Sequence, residues 1–62
     1  MSSTELIKRL MADGLIKARQ DGSHVTLTKL GVTKIITVPH PRKDASKGVI
    51  RQAQSISGLK LL

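Results

Sequence analysis

The chain is 62 residues long, with eleven Lys and Arg against four Asp and Glu, a formal net charge of +7, and no Cys, Phe, Tyr or Trp. That length allows one domain, expected over residues 1–62, with a small core assembled from aliphatic side chains alone. Disulfides, thiolate chemistry and base stacking on aromatic rings are excluded, and no apolar run approaches the roughly 20 residues of a membrane span.

The opening MSSTELIKRL has no continuous apolar stretch behind a basic end, so it does not read as a signal peptide, and a cytoplasmic protein is expected. The charge points to a polyanionic partner: nucleic acid first, an acidic protein second, an anionic membrane third.

Ser2 to Asp13 reads as a helix. Ser2 and Glu5 have the spacing of a capping box, and Leu6, Ile7, Leu10 and Met11 form one apolar stripe. Gly14 follows where a left-handed C-terminal cap is wanted. Leu15 to Arg19 is a short strand, ended by a turn at Gln20, Asp21 and Gly22. Ser23 to Lys29 alternates, with Val25 and Leu27 on one face and His24, Thr26 and Thr28 on the other, as a half-buried strand does. Leu30 to Thr33 connects to a third strand, Lys34 to Val38, which Pro39 and Pro41 end. A basic loop, PHPRKDASK, covers residues 39–47. Gly48 to Ser57 is a second helix, with Val49, Ile50, Ala53 and Ile56 on one stripe, Ser46 as N-cap and Gly58 as C-cap. The tail Leu59-Lys60-Leu61-Leu62 is apolar enough to fold back on the core.

The order helix, three strands, helix predicts an α+β fold in which both helices cover one face of a three-stranded antiparallel sheet. The other face is left to water, and His24, Thr26 and Thr28 belong to it.

Two side chains suit acid–base work near neutral pH, His24 and His40. The carboxylates Glu5, Asp13, Asp21 and Asp44 are scattered and no metal-ligand spacing is present, so neither a metal nor another cofactor is expected. A metal-free ribonuclease needs little more than this, because RNA carries its own nucleophile in the 2′-OH. The protein must take that proton, stabilise the charge on the phosphorane and protonate the leaving 5′-oxygen. One histidine serves as base or acid, worth about 10²–10⁴-fold, and cations stabilise the transition state.

His24 follows Gly22-Ser23 at a strand entrance, and reads equally as an exposed strand histidine or as the acting group. His40 stands between Pro39 and Pro41, in either a rigid strand-end turn or a phosphate contact. Arg42, Lys43 and Lys47 precede the second helix, as a phosphate grip or as a solvated basic loop. Lys17 and Arg19 extend the basic surface if they share the face of His24, which depends on strand register.

Four segments carry a family resemblance: Ser3-Thr4-Glu5-Leu6-Ile7-Lys8 continued to Gly14, Arg19-Gln20-Asp21-Gly22-Ser23-His24, Val38-Pro39-His40-Pro41 followed by Lys43-Asp44, and Gly48-Val49-Ile50-Arg51 ending at Gly58-Leu59. In this order and spacing they resemble the HicA toxins of HicBA toxin–antitoxin systems. The resemblance implies a double-stranded-RNA-binding-domain-like fold, mRNA cleavage with translation and growth arrest, and a HicB antitoxin that covers the active site in a hetero-oligomer. It implies His24 as the catalytic histidine. Arg19, Ser23, His40, Arg42, Lys43 and Lys47 are the expected RNA- and phosphate-binding residues. The chain departs from the family pattern at Leu15, where a Trp or other large residue is usual, and at Val25 and Leu27, where a second His and a Phe are usual. The alternative is a non-catalytic RNA-binding module of the same fold, reading A-form shape and phosphates.

Overall fold

A computed structural model describes residues 1–61 and has the expected order: α1 (Ser3–Ala12), β1 (Ile16–Asp21), β2 (His24–Thr28), β3 (Ile35–Pro39) and α2 (Lys47–Ser57). α1 starts where a side chain replaces a missing helical acceptor: Ser2 Oγ accepts the Glu5 amide at 3.1 Å. The reciprocal half of the expected capping box is not made. The Glu5 carboxylate instead accepts from Arg9 Nε at 3.1 Å, an oppositely charged partner one turn on.

The helix ends in a Schellman motif. The Leu15 amide donates to Leu10 O and the Gly14 amide to Met11 O, both at 3.0 Å, while Leu10 and Leu15 are both buried. α2 begins at Ser46, whose Oγ accepts the Val49 amide, and ends at left-handed Gly58.

The sheet is an antiparallel meander in the order β1-β2-β3. β1 runs two residues further than its propensity predicts. Gln20 and Asp21 pair with Val25 and His24, so the ladder overrides their turn preference and leaves Gly22-Ser23 as a two-residue loop. Only the first of these has a positive φ, +58° at Gly22, the pattern of a type II′ turn. A Cβ at Gly22 would meet no neighbour, so the need for glycine there is conformational. β3 likewise includes Pro39, tolerated because β3 is an edge strand.

Val25 and Leu27 of β2 and Ile36 and Val38 of β3 face both helices and form one core with Leu6, Leu10, Leu15, Ile50, Ala53 and Ile56. The apolar stripe of α1 is narrower than predicted. Leu6 and Leu10 are buried and Ile7 packs against the core's edge, but Met11 is half exposed. On α2, Val49 is at that edge as well. Leu61 folds back, its amide donating to Gln54 Oε1 at 2.6 Å, while Leu62 of the predicted tail lies outside the described residues.

With no aromatic ring in reserve, each aliphatic in this core is costly to lose. Leu27→Ala, at a fully buried position, is expected to cost about 2–5 kcal/mol in urea unfolding, against about 0.5 kcal/mol or less for Leu30→Ala at a fully exposed one.

Candidate functional site

His24 opens β2 on the face turned away from the helices, and its imidazole is exposed. Its cross-strand neighbours are Asp21 on β1 and Pro39 on β3. A register shift between Lys17 and Arg19 then decides which basic side chain joins it. Lys17 pairs with core-facing Leu27, whereas Arg19 pairs with Thr26 on the open face. The side chains obey this split. Lys17 Nζ donates to Gln20 Oε1 at 2.9 Å on one face, and Arg19 Nε lies 3.3 Å from the Asp21 carboxylate on the other. Of the two cations, only Arg19 shares the surface of His24. Thr26, expected in water on that face, is buried, because a central-strand side chain between Arg19 and Thr37 is shielded from both sides.

The Arg19–Asp21 pair is about 70% exposed at both ends, so it adds little stability, and Arg19 keeps donors for another anion. Glu5, Asp13 and Asp44 are also engaged, by Arg9, Lys29 and the N-terminal ammonium. No carboxylate partner is left among the described residues for Arg42, Lys43 or Lys47. These three exposed cations lie beyond Pro39, hence at the His24 end of the sheet. No three His, Asp or Glu side chains come together among the described residues.

His40 behaves differently from the rest. Its amide donates to Ser23 O at 2.6 Å, carrying the β2–β3 ladder one step past the strand end. Its Nδ1 lies 2.8 Å from Ser3 Oγ on α1. The imidazole is thus tied to the helix layer and only Nε2 is left for other contacts, while the exposed His24 ring faces the open side. Ser3 is fully buried and does more. Its Oγ accepts the Arg42 amide at 2.8 Å and reaches Arg42 O at 3.2 Å, while its own amide donates to Arg42 O at 2.9 Å. One hydroxyl proton serves either Nδ1 or Arg42 O. The rotor accommodates a ring that donates or accepts at Nδ1. Beside it, the Ala45 amide donates to Met1 O at 2.7 Å. The basic loop is therefore stapled to the start of α1.

Sequence reasoning passed over Ser3 and treated Asp21 as scattered. A signal for Ser3 existed: it lies on the Leu6–Leu10 stripe at helical spacing, and a polar side chain on a buried stripe needs a partner. The Lys17–Arg19 bulge left no such trace.

The molecule defined here is a small basic α+β domain with an exposed histidine and a neighbouring arginine on an uncovered sheet face. The model of the HicA toxin of bacterial toxin–antitoxin systems matches residues 3–60. The chain is also similar to a solved structure described as a HicA3 and HicB3 toxin–antitoxin complex, with 57% identity, full coverage of both chains and a TM-score of 0.82. No curated protein matches. This chain belongs to the HicA toxin family.

Ser3→Ala removes the centre of the staple and leaves the Arg42 amide short of a partner. A loss of about 1–3 kcal/mol is expected, with faster hydrogen exchange at the His40 and Arg42 amides than at Val25.

Proposed function

We propose that this protein is the ribonuclease toxin of a toxin–antitoxin pair. Acting as one domain in the cytoplasm, it cleaves mRNA without a metal, arrests translation and growth, and is neutralised by a HicB-type antitoxin in a hetero-oligomer. The observation that carries this reading is His24, an exposed imidazole on the open sheet face with Arg19 beside it.

In the proposed step the 2′-oxygen bonds to phosphorus as the P–O5′ bond breaks, giving a cyclic phosphate and a 5′-hydroxyl. One proton leaves the 2′-oxygen and one arrives at the 5′-oxygen; His24 handles one of these transfers and solvent water the other. Arg19 stabilises the phosphorane and gives up part of its contact with Asp21 to do so. Arg42, Lys43 and Lys47 hold flanking phosphates at the same end of the sheet. His40 has Nε2 left for a phosphate oxygen, and Ser23 sits in the turn that presents His24. The HicA3 and HicB3 complex supports the antitoxin partner, since that related toxin is found with HicB3.

His24→Ala should abolish growth arrest and mRNA loss on induction, lowering cleavage by about 10²–10⁴-fold with RNA affinity nearly unchanged. Arrest undiminished in that variant would return the protein to the RNA-binding alternative. Arg19→Ala should instead weaken RNA binding and flatten the plot of log affinity against log salt by about 0.7, the share of one single-strand phosphate contact.

A further inference from the structure

The open face has a second end, and its chemistry is the opposite of the first. Ile16, Thr28 and Ile35 form one cross-strand row, with Ile16 59% and Ile35 50% exposed. The loop that leaves Thr28 adds Leu30, 93% exposed, and Val32. Of the five exposed large aliphatic side chains among the described residues, only Met11 lies on a helix. In a protein with so small an aliphatic core, four such residues at one end are not casual surface composition.

Leu30 is displayed by construction. The Val32 amide donates to Lys29 O at 3.0 Å, closing a turn whose third residue is Gly31 at φ +82°. That is a type II turn, which demands glycine at its third position but sets no demand for leucine at its second. The geometry needs Gly31; the exposed Leu30 calls for a separate reason.

We propose that Ile16, Ile35, Leu30 and Val32 are the anchor on which the HicB-type antitoxin seats, an inference that rests on the toxin–antitoxin reading above. RNA is a poor occupant, because aliphatic side chains neither stack bases nor pair with phosphates. A folded protein with an apolar centre and an acidic rim fits. The net charge of +7 favours an acidic rim, and Lys34, next to Ile35 in the chain, has no carboxylate partner among the described residues. An apolar centre inside a polar, charged rim is how specific interfaces are built.

Size narrows the choice of surface further. A stable interface takes about 800 Å² from each partner, which is about a fifth of this protein's 4089 Å². Among the described residues the helix layer offers only Met11 as an exposed large aliphatic, whereas the uncovered sheet face offers the whole row. The row lies four residues along β2 from His24, about 13 Å at strand rise. A partner seated on it covers His24 by extension, while the residues that hold it are not those that touch RNA.

The test is separation of the two ends. Leu30→Ser/Ile35→Thr is made in the wild type and in His24→Ala, and each protein is titrated with a HicB-type antitoxin, HicB3 of the related complex being the available probe. Circular dichroism and a thermal midpoint verify folding, and Ile16→Thr probes the same row from the other edge strand. The expected result is antitoxin affinity lowered at least 30-fold, the scale of a lost hot spot, with RNA cleavage within about twofold of wild type. In cells, the double variant should then arrest growth even with the antitoxin co-produced. Affinity unchanged within about threefold overturns the anchor while leaving the toxin reading intact. Concentration-dependent self-association abolished by the double substitution, with antitoxin binding unaltered, overturns it in favour of a second copy of this chain. If His24→Ala binds the antitoxin through this row but the wild type cleaves no RNA, the anchor holds and the ribonuclease reading falls. No antitoxin binding by any form removes both the partner and its anchor.

Discussion

The parity of β2 governs the molecule. It is the central strand, so each of its side chains is committed to one of two faces along its whole length. Val25 and Leu27 enter the core, which sends His24, Thr26 and Thr28 to the other side. A slip of one residue would put an imidazole among aliphatic side chains and expose two core residues together. The histidine's availability and the core's integrity are therefore one constraint. The two-residue turn at Gly22-Ser23 secures it from one side, and pairing with Ile36 and Val38 secures it from the other.

Two local devices convert that parity into a site. The irregularity in β1 turns Arg19 to the face of His24 while leaving Lys17 on the other, so β1 presents a cation to each surface. The Ser3 hydroxyl does the same service for the loop after β3. It holds the imidazole of His40 and the backbone of Arg42 against α1, and the His40 amide in turn binds Ser23 O, one residue before His24. The start of the chain, the basic loop and the hairpin turn thus form one connected network. A buried hydroxyl with satisfied partners is specific in a way that a few more aliphatic contacts would not be.

Much of this was legible in the residues. Alternation placed Val25 and Leu27 inward and His24 outward, and cap residues set both helices to within a residue. What escaped has a common physical cause. The longer β1, the burial of Thr26 and the facing of Arg19 depend on what lies across the ladder, and a single chain read in order contains no cross-strand partner. Ser3 escaped for another reason: the helical stripe flagged the position, but its partners are about forty residues away at the far end of β3, so nothing nearby announced the contact.

On the proposed reading, the open face lets a domain this small serve two partners. Its helix layer is needed to cover the core, so the uncovered side of the sheet is the surface that can be spent on recognition. One end of that side is polar and basic around His24; the other is aliphatic around Ile16, Leu30 and Ile35. Phosphate chemistry suits the first and excludes the second, and a protein's apolar centre does the reverse. The ends are nearer to each other than the width of a standard interface, so an occupant of the aliphatic end blocks the histidine by sheer extent. On the proposed reading, inhibition is steric competition for one face. Substitutions at the aliphatic end then release the toxin without altering its chemistry, and substitutions at the histidine end disarm it without freeing it.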